Sequence, residues 1–355
     1  MATDMPGPMT GKVQTVLGPI DPSEMGVTLT HEHILIDLSC YYAEPEEASL
    51  RWYQDQPYTI DLVGRTPAIW YLNRDNVQLI DEAEATTAIN QYRLAGGNSV
   101  VDVTNPDIGR DPLALARISR ATGLNIVMGA GHYVPVAHPA DMDERTEDGI
   151  YERLVRDVSL GVGDTGIKSG VIGELGNVHP QTENQTKVLR AAGRAHKETG
   201  CPVLIHPGHH EESHLAILEI LDKAGCPPER VIMGHLDWSI DAFDVLTRIA
   251  ETGCFLEYDV FGFEASGLGY LGGYMDPLTD AQRITHLEFL VSSGYGDKIT
   301  VAQDVCMKWF RAEQGGKGQA HVLENIVPRM KARGWKQSQL DDMLIHNPAK
   351  ALAFA

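Results

Sequence analysis

The chain has 355 residues, of which 43% are hydrophobic and 22% are charged, so it is long enough to bury a large core and has the composition of a globular protein. Its 29 lysines and arginines stand against 49 aspartates and glutamates, and the resulting net charge of −20 repels phosphate backbones and anionic membrane surfaces. The balance argues against nucleic acid and membranes as partners and leaves a small molecule as the expected ligand.

The cysteines and the first residues indicate a cytoplasmic protein. The five cysteines are scattered without a C-x-x-C pair, which favours reduced thiols over a disulfide framework or a zinc knuckle. The opening MATDMPGPMTGK lacks the apolar core of a signal peptide, and no apolar run approaches membrane-spanning length. A homodimer stays open at this stage.

Short β-branched apolar runs alternate along the chain with longer stretches of helical periodicity, several of which end on glycine. This alternation is typical of βα units around a parallel sheet. The eight runs begin at Thr28, Asn98, Leu124, Ser169, Cys201, Arg230, Cys254 and Lys298. Because no linker or low-complexity tract interrupts them, the sequence predicts an α/β protein with one (β/α)8 TIM-barrel domain over residues 1–355.

Two stretches fall outside the alternation. Residues 40–76, rich in tyrosine and tryptophan, follow the first run, and the glycine-rich residues 261–280 follow the seventh. In a barrel both lie over the mouth, where active sites are built. Each is therefore expected to form a lid or pocket wall, or simply to cover the top of the barrel; the sequence leaves both interpretations open.

Ligand-type side chains end five of the eight runs. His31 and His33 lie two residues apart in the first run, and such residues share one face of a strand, so both imidazoles point the same way. An H-x-H pair alone is a weak indication of a metal site. Further polar residues, spaced by whole βα units, are Glu174, His206, His235 and Asp304. In a barrel all six converge at the C-terminal mouth.

Four imidazoles and two carboxylates are too many ligands for one tetrahedral zinc ion. They suit two divalent cations, with zinc expected, bridged by a shared carboxylate and a hydroxide. Glu174 is the expected bridge, with Lys168 as the alternative. The competing interpretation is a metal-free barrel in which the same side chains are only hydrogen-bonded, at a cost of several kcal/mol for clustered ionisable groups.

Long motifs then relate the chain to a known family. They are GKVQTVLG (11–18), TLTHEH (28–33), GVIGELG (170–176), CPVLIHPG (201–208), LEYDVFG (256–262), VAQD (301–304) and NIVPRM (325–330). On these motifs the chain resembles the phosphotriesterase-related branch of the amidohydrolase superfamily over nearly its whole length. The resemblance implies a more buried metal at His31, His33 and Asp304, a more exposed metal at His206 and His235, and Glu174 as the bridge.

The resemblance also implies a hydrolase in which Asp304 takes the proton of the attacking hydroxide and passes it to the leaving group. Organophosphate-hydrolysing members carry a carboxylated lysine where this chain has Gly173, which argues against efficient organophosphate hydrolysis. A small N-acyl amide of the N-acetyltaurine type is the implied substrate. The alternatives are lactone or carboxylic ester hydrolysis, weak phosphotriester hydrolysis, and, least of all, a binding protein without activity.

Three residues are expected to contact the substrate. Tyr133 resembles an aromatic residue of lactonase relatives, with packing over the barrel as the alternative. Arg110 and Lys308 are candidates to bind an anionic group, since both side chains pair with carboxylate, sulfonate or phosphate. Surface or capping roles remain open for these two cations.

Overall fold

Eight parallel strands form the central sheet of the computed structural model, which describes residues 9–270 and 273–355. The strands are β1 (Thr28–Glu32), β2 (Ser99–Asp102), β3 (Asn125–Ala130), β4 (Val171–Gly176), β5 (Val203–His206), β6 (Val231–Met233), β7 (Phe255–Tyr258) and β8 (Ile299–Val301). Their spatial order follows the chain, and each neighbouring pair is parallel.

The sheet curves until its first and last strands meet. The hydroxyl of Thr30 donates to the carbonyl oxygen of Val301 at 3.4 Å, and the amide of Asp304 donates to the carbonyl oxygen of His31 at 3.3 Å. These contacts bring β1 beside β8, so the predicted (β/α)8 TIM barrel is confirmed.

Helices follow the strands and pack outside the barrel. The main helices are α1 (Glu82–Leu94), α2 (Pro112–Thr122), α3 (Glu147–Ser159), α4 (Glu183–Thr199), α5 (Glu211–Ala224), α6 (Phe243–Ala250), α7 (Asp280–Ser292) and α8 (Val327–Ala332). Thr182 and Thr279 begin α4 and α7 through capping boxes, which satisfy free amides of the first turn. Gly200 and Gly225 end α4 and α5 at φ 73° and 108°, where a side chain would be strained.

Shorter elements complete the chain. Antiparallel pairs are Val13–Thr15 with Gly18–Ile20, Ile36–Asp37 with Gln78–Leu79, and Leu268–Tyr270 with Gly273–Met275. Short helices and turns are Arg51–Gln54, Thr66–Ile69, Trp70–Leu72, Leu236–Ser239, Val322–Ile326, Gln337–Asp341, Asp342–His346 and Asn347–Leu352. Within the described residues, no helix is long and apolar enough to cross a bilayer.

A second apolar cluster lies over the barrel mouth, separate from the core between strands and helices. It joins the stretch after β1 to the loop after β7: the indole nitrogen of Trp70 donates to the carbonyl oxygen of Gly269 at 2.7 Å. Its buried aromatic members include Tyr53, Trp70, Phe263 and Trp309. Both stretches that broke the sequence alternation therefore build the wall around the mouth.

Candidate active site

The six predicted ligand residues meet at the mouth of the barrel. All are buried except Asp304, which is partly exposed. Their side chains fall into two groups. Within each group, the atoms that could bind a metal lie within 4.8 Å of one another. One group is His31, His33 and Asp304, and the other is Glu174, His206 and His235.

Glu174 connects the two groups, because its two carboxylate oxygens face different partners. Oε1 lies 3.2 Å from Nε2 of His33 in the first group. Oε2 lies 3.0 Å from Nδ1 of His206 and 3.8 Å from Nε2 of His235 in the second, and also 3.5 Å from Nε2 of His31 in the first. A carboxylate that lies between the two groups and contacts both has the position that a bridging ligand requires. Lys168 precedes β4, at the far end of the strand from Glu174, so the structure does not bring it to this position.

Two ligand residues adopt a backbone conformation that residues other than glycine rarely take. His235 has φ 53° and Asp304 has φ 47°, a conformation that costs about 1 kcal/mol or more and is found most often at functional sites. Buried carboxylates hold both turns. Asp259 accepts from the amide of His235 at 2.8 Å, and Glu32 accepts from the amides on either side of Asp304 at 2.7 and 3.2 Å.

Buried acceptors also fix which nitrogen of His31, His33 and His235 faces the site. Nδ1 of His31 lies 3.1 Å from both Glu257 and Asp259, and Nδ1 of His235 lies 2.7 Å from Asp259. Nδ1 of His33 lies 2.8 Å from the hydroxyl of Thr104, which itself donates to a carbonyl oxygen. Each Nδ1 therefore carries the proton, and each Nε2 is left as a lone-pair donor aimed inward.

Glu257 and Asp259 were not among the sequence candidates. Their signal was present in the motif LEYDVFG, where two carboxylates stand at i and i+2 on the seventh run, as the two histidines do on the first. Both are fully buried, and their only sequence-level hint is that strand pattern.

The carboxylates make the site attractive to cations. Burial would lower the pKa of His235, but the charge of Asp259 and hydrogen bonds to Asp259 and Glu174 raise it to about 10. Burial likewise opposes the charged form of His33, yet hydrogen bonds to Asp304 and Glu174 raise its pKa to about 9. Four hydrogen-bonded imidazoles hold the pKa of Glu174 well below its usual value despite burial. A group of imidazoles that attracts protons this strongly also attracts divalent cations, which compete for the same lone pairs.

Several inward-facing atoms fit bound cations. Nε2 of His31, Oε1 of Glu174, Nε2 of His206 and Oδ1 of Asp304 are buried and make no hydrogen bond of standard geometry. The contacts that three of them make across the site, namely Nε2 of His31, Oε1 of Glu174 and Oδ1 of Asp304, are 3.2–3.5 Å long. Polar atoms buried in this way are destabilising unless something pairs with them. Imidazole nitrogens and carboxylate oxygens together suit zinc and similar divalent ions. The donor set and the unpartnered atoms therefore fit two metals.

A cavity of about 620 Å³, measured to its open mouth, lies over the ligands. His206, His235 and Asp304 form part of its floor, and its walls are mostly aromatic and aliphatic. The wall residues are Leu38, Tyr41, Trp70, Tyr133, His209, Trp238, Val260, Phe263, Leu268, Gln303, Cys306, Met307 and Phe310. Its apolar walls above a floor of a few polar side chains are those of a small-molecule site.

The three predicted substrate contacts differ in their position. Tyr133 lines the cavity, with its ring centroid 5.3 Å from that of His206. Arg110 does not: its buried guanidinium pairs with Asp157 at 2.8 Å and donates to the carbonyl oxygen of Gly129 at 2.9 Å. The ammonium of Lys308 pairs with Asp75 at 2.6 Å, also away from the cavity lining. The expected anion clamp is therefore corrected, since ion pairs inside the chain already hold both cations.

Relatives of known class share this architecture. Residues 11–352 match the phosphotriesterase family. An N-acetyltaurine hydrolase of Tetraodon nigroviridis is 39% identical over 347 residues, which cover 98% of this chain and 99% of the relative. A solved resiniferatoxin-binding protein from Rhodobacter sphaeroides has a TM-score of 0.93 and 30% identity, covering 97% of this chain and 96% of that one. A lactonase from Listeria monocytogenes has a TM-score of 0.77 and 25% identity, covering 97% and 99%.

A (β/α)8 barrel with this ligand set at its mouth, and with hydrolases as full-length relatives, is a metal-dependent hydrolase. The chain belongs to the phosphotriesterase family.

Proposed function

We propose that this enzyme hydrolyses a small N-acyl amide of the N-acetyltaurine type, using two divalent cations held by the six ligand residues. The observation that carries the proposal is Glu174, whose carboxylate lies between two groups of candidate ligands and contacts both, below an apolar cavity. The full-length relatives named N-acetyltaurine hydrolase support the choice of an amide.

The chain's own residues then divide the work. Two cations at the site would activate a water molecule and polarise the scissile carbonyl. The carboxylate of Asp304, partly exposed at the cavity floor, accepts the proton of the attacking water and delivers it to the nitrogen of the leaving amine. Glu257 and Asp259 keep His31 and His235 oriented, and the apolar wall excludes competing water.

The chemistry of the wall bears on the rest of the substrate. Among the described residues, the cavity lining contains no lysine or arginine. We therefore expect only a small preference for an anionic substrate over a neutral one of the same shape. The kcat/KM values for N-acetyltaurine and for its neutral sulfonamide should differ by less than about tenfold, which is about 1.4 kcal/mol. A preference above about a hundredfold would show that a cation reaches the substrate in the complex.

Lactone hydrolysis is the second candidate. It is favoured by the lactonase of Listeria monocytogenes, which shares the fold, and by the apolar wall, which suits an acyl chain. An amide needs its departing nitrogen protonated, whereas an opened lactone leaves as an alkoxide on the same molecule. The position of Asp304 at the cavity floor serves the first need.

A substrate screen distinguishes the two candidates. Protein loaded with zinc, cobalt or manganese would be assayed against N-acetyltaurine, N-acetyl amino acids, lactones and paraoxon, with chelator-treated protein as the control. We expect N-acyl amides to give the highest kcat/KM and paraoxon the lowest. Lactones faster than every amide by a wide margin would replace the proposal with its alternative.

We also propose zinc as the native ion and the cytoplasm as the location. Mixed imidazole and carboxylate ligands support zinc. The five cysteines form no disulfide with one another, and three of them are buried, which agrees with a reducing compartment. A single domain over residues 1–355 and a homodimer remain predictions.

A further inference from the structure

A second group of metal-binding side chains lies outside the six-ligand site, on the surface beside the mouth. His179 belongs to the loop after β4, while His210 and Glu212 stand where the loop after β5 enters α5. Their side chains are 29%, 46% and 74% exposed, so solvent ions reach all three. None of the three lines the active-site cavity.

The three side chains lie close together. The rings of His179 and His210 are stacked, with centroids 4.2 Å apart and planes 8° from parallel. Oε2 of Glu212 lies 4.0 Å from Nε2 of His179 and 4.0 Å from Nδ1 of His210. One ligand atom from each residue lies within 4.8 Å of the other two. Within the described parts of the chain, these histidines are the only basic groups within 4.0 Å of Glu212.

The backbone holds the two loops close together. A Cβ on Gly208 would lie 2.5 Å from the amide nitrogen of His179, closer than real contacts allow, so only glycine permits this approach. The two imidazoles are thus presented side by side by two packed loops. Rotation of the exposed side chains would bring the ligand atoms from 4.0 Å to the separations found around a metal with bonds of about 2 Å. This rotation turns the two stacked rings out of parallel, and a metal on Nδ1 of His210 replaces the hydrogen bond which that atom accepts from the amide of Glu212 at 3.2 Å.

We infer that His179, His210 and Glu212 form a third cation site, specific for divalent transition metals such as nickel, copper or zinc. Two imidazoles and one carboxylate are ligands that these ions prefer, whereas calcium and magnesium prefer sites made of oxygen. The net charge of −20 raises the local concentration of any cation. Because the site is exposed and has three protein ligands, a bound ion exchanges with solvent. The bound ion also joins the loop after β4, the strand of Glu174, to the loop after β5, the strand of His206.

The test uses the intact protein and nickel. Protein first saturated with zinc and freed of excess would be titrated with nickel chloride by calorimetry, and with copper chloride for electron paramagnetic resonance. Wild type should bind one further nickel ion, and its copper spectrum should show coupling to imidazole nitrogens. His179→Gln combined with His210→Asn should raise the nickel Kd by about tenfold or more, equivalent to about 1.4 kcal/mol. Asparagine retains the helix cap that His210 provides.

Two further variants distinguish nickel binding at this site from non-specific nickel binding elsewhere on the surface. Glu212→Gln removes the negative ligand without touching either ring and should also weaken nickel binding. His346→Gln removes another exposed histidine and should leave it unchanged. The proposal is overturned if wild type binds no nickel beyond the active-site metals, or if the double variant binds it with an unchanged Kd. Because hydrolysis is not the readout, failure here leaves the proposed activity standing.

Discussion

The proposed function gives Asp304 two roles that usually conflict in one side chain, since a metal ligand donates its lone pairs while a proton carrier needs them free. Its partial exposure at the cavity floor and its Oδ1, 3.3 Å from Nε2 of His33, allow both. Asp304→Asn keeps the shape but removes the basicity, so kcat should fall by roughly 10²-fold or more. Steady-state kinetics with a measured metal content test this. Near-normal turnover would remove Asp304 from proton transfer.

Glu174 offers a separate test of the bridge. Glu174→Gln retains the size and hydrogen-bonding reach of the side chain but leaves a neutral amide between two cations. The variant should lose at least one metal on dialysis against a chelator under conditions where wild type keeps both, as measured by elemental analysis. A matched control is Glu144→Gln, an exposed carboxylate outside the site. Equal retention in both variants would contradict a bridging role.

At the scale of single residues, the sequence was a better guide to the candidate metal ligands than to the ion pairs of the basic residues. That the six candidate ligands lie together could be predicted because strand ends in a barrel converge by topology alone. Arg110 and Lys308 were misplaced because a basic residue near a strand end carries no sign of whether an acid inside the chain already pairs with it. Asp157 and Asp75 are those acids, 47 and 233 residues away along the chain. Such distant pairing is decided by tertiary packing.

Among the elements, the loop after β3 depends on the loop after β2. Asp107 accepts from the amide of Tyr133 at 2.9 Å and lies 3.0 Å from Nδ1 of His132. It thereby holds the Tyr133 ring against His206 and near Tyr41, with centroids 5.3 and 6.4 Å away. Asp107 is not itself part of the cavity lining and acts through Tyr133, so it is a positioning residue.

Asp107→Ala should therefore raise KM more than it lowers kcat, because the cavity wall shifts while the ligands stay. Loss of hydrogen bonds to a charged group is worth about 1.5–3 kcal/mol, or about tenfold or more in KM. Metal content should match wild type, and Glu144→Ala is the matched surface control. Asp107→Asn, which keeps an acceptor for the Tyr133 amide, should recover part of the loss. Equal losses in kcat and metal content would indicate general disruption instead.

The alternation of runs located all eight strands, since hydrophobic periodicity is a local property of the chain. The wall over the mouth was foreseen only as two unusual stretches. Its short helices and the pairing of Ile36–Asp37 with Gln78–Leu79 depend on contacts across some forty residues. The hydrogen bond from Trp70 to Gly269 joins two residues that are nearly two hundred positions apart in the chain. Local sequence patterns do not encode such distant partners. The two loops could therefore be recognised as unusual, but their structure could not be predicted.

In the whole molecule, the six candidate ligands are distributed so that bound metals would link strands around the barrel. They come from β1, β4, β5 and the residues directly after β6 and β8, so two cations would join strands from all around the mouth. Without them, buried carboxylates and imidazoles face one another with unpartnered atoms. Because the unfolded chain lacks this site, binding energy adds directly to folding stability.

Removing the metals should therefore lower Tm as well as activity. A cation at a thousand times its Kd stabilises the folded state by about 4.1 kcal/mol, which for a chain of this size corresponds to a rise in Tm of at least about 5 °C. Calorimetry of chelator-treated and zinc-reloaded protein measures the shift. It should be smaller in Glu174→Gln, where one or both cations bind weakly, and full-sized in His346→Gln. If the chain is one domain, each form should also unfold in a single cooperative transition. An identical Tm with and without zinc would mean that the six residues do not hold metal in the folded protein.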